Sequence, residues 1–314
     1  MFEDAATLTV WWQTIYIYGL FIALGLIAGA VLLLWRARKQ PQTMDAALLA
    51  LPLVTVMGLA GARLLFAVSD STFRGVFSLS NLMAFHTGGY AMYGALLGMA
   101  LGLWIAARLT RQMAAPLFDL AAPSWMLFVG FARLGEGYTA IGTGRPVLTD
   151  ALRNTVLTVQ DEYGDYLRTY ALEAVVAFAL CIALLIWMHK PRRVGYTALI
   201  AALWYGVTQT LMESLRNDRH LDFAFVGLQH VLSAVLFGAV LIFAAVRWLR
   251  AGRPRPLGIV ALVSLPILVV AVIALEFAID RTDWNKLLCY VVYAVLLCWP
   301  LYITHKLLAF EEVV

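Results

Sequence analysis

The chain has 314 residues, of which 62% are hydrophobic and 13% charged, and a formal net charge of +4. A water-soluble domain carries roughly twice that charged share; with a mean hydropathy of +0.82, the composition excludes an ordinary soluble protein and fits a chain solvated by lipid. The three cysteines, Cys181, Cys289 and Cys298, stand inside apolar runs with no CxxC spacing, so they read as small core residues.

The N-terminus, Met1 to Asp4, is acidic, whereas a cleavable signal peptide needs a basic start and a short apolar core. The first apolar run, about Val10 to Leu34, is long enough to be a retained membrane helix. A bilayer core of ~30 Å takes about 20 apolar residues in a helix, and such runs recur at 12–35, 45–68, 88–108, 115–134, 169–188, 194–215, 226–249, 257–279 and 286–304. The expected fold is an all-α polytopic transmembrane bundle of about nine spans.

Basic residues sort the breaks between spans. Arg36, Arg38 and Lys39, then Arg108 and Arg111, then Lys190, Arg192 and Arg193, then Arg247, Arg250, Arg253 and Arg255 follow alternate spans, which places those breaks in the cytoplasm. The other breaks mix acids with bases, among them Asp70 with Arg74 and Asp218 to Asp222. The N-terminus is therefore expected outside and the C-terminus inside. The longest non-membrane segment, 135–168, falls on the outer face, where it could cap a site. These basic residues follow membrane topology and form no soluble basic face, so no nucleic-acid partner is indicated. No metal or organic cofactor is indicated either.

Ionisable groups inside spans are costly and mark functional sites by default. Arg63 follows Gly61 and Ala62 in the second span, and the plain alternative is an arginine snorkelling to the interface. Arg133 and Glu136 end the fourth span three residues apart, a spacing that pairs them on a helix. Gln209, Glu213 and Arg216 have i, i+4, i+7 spacing, one polar stripe that must face protein or a wet cavity. Glu173 opens the fifth span and reads as an interfacial carboxylate. His86 precedes Gly88, Gly89 and Gly94, a run whose glycines permit tight turns and whose helix N-terminus suits an anion. Three arginines on separate spans form a candidate phosphate cluster, because the guanidinium fork donates two parallel hydrogen bonds.

In this order the segments resemble the bacterial prolipoprotein diacylglyceryl transferase family over roughly residues 15–250. The resemblance is carried by Tyr18-Gly19, by Gly61-Ala62-Arg63, by Gly88-Gly89 through Gly94 and Gly98, and by Asp119 with Ala122-Pro123. It continues with Ala132-Arg133-Leu134-Gly135 closing at Gly144-Arg145, with Tyr205-Gly206, Glu213 and Arg216, and with Gln229. It implies a seven-helix enzyme of the bacterial cytoplasmic membrane in residues 1–250, with two additional C-terminal helices in 251–314. The implied reaction moves a diacylglyceryl group from phosphatidylglycerol, a membrane lipid, to the lipobox cysteine thiol carried by a prolipoprotein signal peptide.

Carried over by position, Tyr93, Arg133 and Glu213 are the catalytic candidates. Arg63, Gly88, Gly89, Gly94, Gly135, Glu136, Arg145, Gln209 and Arg216 are the substrate-binding candidates. Arg63, Arg133 and Arg216 would hold the phosphate, Glu213 would orient an arginine or polarise the site, and Tyr93 would meet the glycerol or the thiol. The chain departs from the family where Tyr93 replaces a histidine, where Glu136-Gly137 replaces Asn-Phe, at Thr139 and Ile141, and where Gln209 replaces an arginine. These losses keep open a relative that binds or uses phospholipid with altered chemistry. Intramembrane charge keeps open a transporter, which the lack of an inverted repeat disfavours.

Overall fold

The computed structural model describes residues 6–75, 78–84, 88–139, 142–147, 153, 155–161, 164–217, 222–223 and 226–309. Met1 to Asp4, His86, Ile141, Glu162 and Asp218 lie outside the described residues.

The chain opens with a hairpin of β1 (Thr7–Val10) and β2 (Gln13–Tyr16), paired antiparallel from Thr7 with Tyr16 to Val10 with Gln13. Trp11 turns the corner in the left-handed region, φ 57°. Hydropathy starts the first membrane helix at residue 12; in the structure α1 runs Ile17–Ala37. The β-branched Thr7, Thr9, Thr14 and Ile15 favour the extended pairing over a helical start.

A 3-10 turn (Pro41–Thr43) leads into α2 (Met44–Ser69), followed by the short α3 (Ser71–Gly75) and α4 (Leu79–Met83). Then come α5 (Met92–Leu109), α6 (Ala114–Glu136), the hairpin β3 (Thr158–Asp161) with β4 (Gly164–Leu167), and α7 (Thr169–Trp187). The chain continues through α8 (Tyr196–Leu215), the two-residue strands β5 (Asp222–Phe223) and β6 (Val226–Gly227), and α9 (Leu228–Arg250). It ends with α10 (Arg255–Arg281) and α11 (Lys286–Ala309).

Each expected span meets one long helix. Eight of these are long and apolar enough to cross a membrane, so this is a multi-pass membrane protein. The remaining one, α8, is diluted by Thr208, Gln209, Thr210, Glu213 and Ser214. The α5 helix starts later than expected, at Met92, because Gly88 and Gly89 take φ of +75° and +81°.

Two packing features position the site. The α2–α5 seam is a backbone contact, since a Cβ on Gly94 would lie 2.2 Å from the carbonyl oxygen of Gly61. At the opposite end of the bundle, Asp119 of α6 caps α8 by accepting from the amides of Gly195 (2.6 Å) and Ala198 (2.9 Å). The α6 helix packs against α1, α7 and α8, and so carries Arg133 to the middle of the bundle.

Candidate functional site

Four charged side chains close a ring where the ends of α6, α7 and α8 meet. Arg133 reaches Glu136 at 2.5 Å and Glu173 at 2.7 Å. Arg216 reaches the same two carboxylates, Glu136 at 3.1 Å and Glu173 at 2.8 Å. The helix of α6 runs on through Glu136, so the three-residue spacing delivers the pairing expected. The side chains of Arg133 and Glu173 are each only 1% exposed. At such burial an ion costs several kcal/mol to desolvate, and only close pairing with every lone pair answered offsets it.

Two amides complete the ring. Gln209 donates to Glu173 at 2.9 Å and to Glu213 at 3.1 Å. Arg133 donates to Gln229 of α9 at 3.3 Å. Gln209 and Glu213 share the expected helical stripe, but Arg216 is not part of it. It follows the last residue of α8 in extended conformation, φ −78° and ψ 150°, and bridges to Gly144. Bridge pairing, rather than helical periodicity, aims its guanidinium.

Only two of the three expected arginines converge. Arg63 is buried, and its guanidinium donates to the carbonyls of Asn81 (2.8 Å), Gly89 (3.1 Å), Leu82 (3.3 Å) and Ala84 (3.3 Å), and to that of Gly88. A segment with so many carbonyls turned inward needs a buried cation to satisfy them. Gly88 and Gly89 thus present acceptors to Arg63, where the glycine run suggests an anion site. Tyr93 also departs from its expected place. Its hydroxyl lies 2.6 Å from that of Ser233, which donates in turn to the carbonyl of Gln229 at 2.6 Å, and its ring sits in the core near Tyr205. Gly94 serves the α2–α5 seam. At Gly135, an added Cβ would meet Phe21 at 2.8 Å, so this glycine lets α1 approach α6.

Two cavities flank the ring. One of about 380 Å³ is lined by Tyr18, Gly88, Gly89, Arg133, Glu136 and Gln229, among others. The other, of about 1000 Å³, is reached by Glu213, Arg216, Gln229 and His230, and extends between α9 and α10. Gln229 borders both. Arg145 stands at the second cavity and not in the ring. It donates to the Ser214 carbonyl at 2.8 Å and to Asp280 at 2.5 Å. Burial opposes its charge, but Tyr290, Asp280 and Glu276 hold its guanidinium above the usual range.

Sequence reasoning misses two contributors. Glu173 reads as interfacial, yet it bridges both arginines; its one signal is a carboxylate opening an otherwise apolar run. Ser233, which receives Tyr93, carries no signal at all.

A buried ring of two arginines and two carboxylates between two cavities makes this chain a membrane helix bundle with a polar intramembrane site. The chain belongs to the prolipoprotein diacylglyceryl transferase family, whose model matches residues 6–247. Among its relatives is a Clostridium perfringens protein named phosphatidylglycerol–prolipoprotein diacylglyceryl transferase 2, 26% identical over 241 residues, which are 73% of this chain and 90% of the relative. Proteins named phosphatidylglycerol–prolipoprotein diacylglyceryl transferase from Leifsonia xyli (26% identical; 72% of this chain, 73% of the relative) and Staphylococcus carnosus (27% identical; 64% and 74%) are similar too.

Proposed function

We propose that the chain transfers a diacylglyceryl group from phosphatidylglycerol to the lipobox cysteine thiol of a prolipoprotein, in a bacterial cytoplasmic membrane. The cysteine sulfur forms a C–S bond to the glyceryl carbon while the C–O bond to phosphate breaks. Glycerol phosphate leaves, and the thiol proton passes to a base.

The observation that carries the mechanism is the inequality of three carboxylates. Glu136 and Glu173 each bridge Arg133 and Arg216. Glu213 has no ion pair among the described residues, accepts from Gln209, and lines the larger cavity. Glu213 is therefore assigned as the proton acceptor, since the thiolate is the attacking species. Arg216, three residues on and lining the same cavity, meets the charge that develops on the leaving phosphate, with Arg133 behind it. Glu136 and Glu173 hold both guanidiniums in place until phosphate competes for them. Arg63 acts at a distance, by fixing the turn at Gly88 and Gly89. The alternating basic breaks support an N-terminus outside, and with it a ring end of the bundle that faces outward.

One observation favours a second reading, a phospholipid-binding relative without transfer. Tyr93, at the family's histidine position, is committed to Ser233 and lines neither cavity. Expression in a bacterium depleted of its own transferase separates the two. A reporter prolipoprotein becomes lipidated with the native chain and stays unmodified with Arg133→Ala. A membrane-inserted native chain that leaves the reporter unmodified establishes the second reading.

A further inference from the structure

The family match ends at residue 247, yet one wall of the 1000 Å³ cavity beside Glu213 is built from residues beyond that point. The first wall is α9, with Ala234, Val235, Gly238 and Ile242; the second is α10, with Leu265, Val269, Val272 and Ile273. At Gly238 an added Cβ would touch only the δ-carbons of Leu265, at 3.6 Å. Across from Gly238 the contact is thus with the Leu265 side chain alone and no backbone, so a group larger than methyl would enter the cleft. From His230 to Ile242 the cleft follows twelve residues of helix, about 18 Å. That is close to the depth of one leaflet of a hydrocarbon core of ~30 Å.

The mouth of the cleft is polar, and its charges are unevenly committed. Arg145 is answered by Asp280 at 2.5 Å and Glu276 at 3.8 Å, and Arg216 by Glu136 and Glu173. Arg281, exposed at the end of α10, has no ion pair among the described residues, and neither has Glu213. A cation without an ion pair and a carboxylate whose one oxygen accepts from Gln209 at 3.1 Å, both lining a leaflet-deep apolar cleft, suit a lipid with a phosphate for the first and a hydroxyl donor for the second. The latch that joins this wall to the site is also polar: besides Arg145 with Asp280, Tyr290 of α11 donates to the Ser214 carbonyl at 3.1 Å.

We propose that α10 and α11 give this chain a lateral phospholipid site, in which acyl chains lie between α9 and α10 and a hydroxylated phosphodiester headgroup sits between Arg281 and Glu213. The choice of phosphatidylglycerol as occupant rests on the transfer proposed above, whereas the cleft does not.

The test uses the full-length chain in phosphatidylethanolamine vesicles doped with phosphatidylglycerol that carries a diazirine in its acyl chain. After illumination, adducts concentrate on Val235, Ile242, Val269 and Ile273, which line the cleft, above those on Val263 and Val270, which are comparably exposed on the same helix pair but line no cavity. Gly238→Trp lowers the cleft adducts about tenfold and leaves those on Val263 and Val270 unchanged, which also reports correct insertion. Arg281→Glu, at an exposed position, lowers cleft adducts severalfold and leaves those on Val263 and Val270 unchanged. Cleft adducts no more frequent than those on Val263 and Val270, or indifferent to both substitutions, overturn the proposal. Crosslinking needs no turnover. A chain that crosslinks in the cleft but never lipidates the reporter overturns the transferase reading alone, and one that lipidates without cleft adducts overturns this site alone.

Discussion

Arg216 donates to Glu173 across 2.8 Å, although 43 residues and a helix boundary separate them. One comes from the extended residue after α8 and the other from the first turns of α7, so the contact exists only when those ends are docked. Removing one partner of such a pair leaves an uncompensated buried charge.

Glu173→Gln is therefore expected to destabilise the protein by about 3–5 kcal/mol, read as a lower unfolding temperature in detergent. Adding Arg216→Gln should restore part of the loss, because the double variant removes one charge of each sign. A thermodynamic cycle measures the coupling; strictly additive losses would show that the two do not interact.

Glu213→Gln changes no ion pair among the described residues, so its effect should fall on turnover. Reporter lipidation is expected to drop by about 10²–10⁴-fold, the usual contribution of a positioned base, with the unfolding temperature close to that of the native chain. Full lipidation by the Gln variant would remove Glu213 from the proton transfer.

At Arg63 the expected phenotype is local loosening. Arg63→Ala leaves several buried carbonyls unanswered, each worth about 1–3 kcal/mol, and amide exchange over residues 81–91 should accelerate. Lysine, with a compact ammonium in place of the planar fork, restores little of this. Unchanged exchange together with lost lipidation would instead place Arg63 in contact with substrate.

The α2–α5 seam offers a steric test. Gly94→Val puts a β-branched side chain where even a Cβ lies 2.2 Å from the Gly61 carbonyl oxygen. It should abolish recovery of monodisperse protein from detergent. Gly75→Ala, with nothing within 4 Å of the added carbon, should not alter recovery.

Much of this architecture is legible in one dimension. Hydropathy places every long helix, because length in a bilayer is a property of one stretch of chain, whereas the pairing of Gly61 with Gly94 shows only once α2 and α5 pack. The pairing of Arg133 with Glu136 does come from helical spacing. The second strand of the hairpin, Gln13–Tyr16, reads as helix because it adjoins the apolar run after it.

The partners of the remaining charges are not legible in this way. The sequence presents Arg63, Arg133 and Arg216 as equivalent intramembrane arginines. Packing sends the first to the carbonyls of Asn81, Leu82, Ala84, Gly88 and Gly89 and brings the other two onto Glu136 and Glu173. Glu173 looks interfacial until α7 docks against α6, and Arg216 leaves its helical stripe because it pairs with Gly144. Hydropathy and periodicity act along a single segment, whereas the partner of a buried charge is chosen by which helix ends meet. That choice belongs to the tertiary structure, because the cost of desolvation is relieved only by groups that folding brings within about 3 Å.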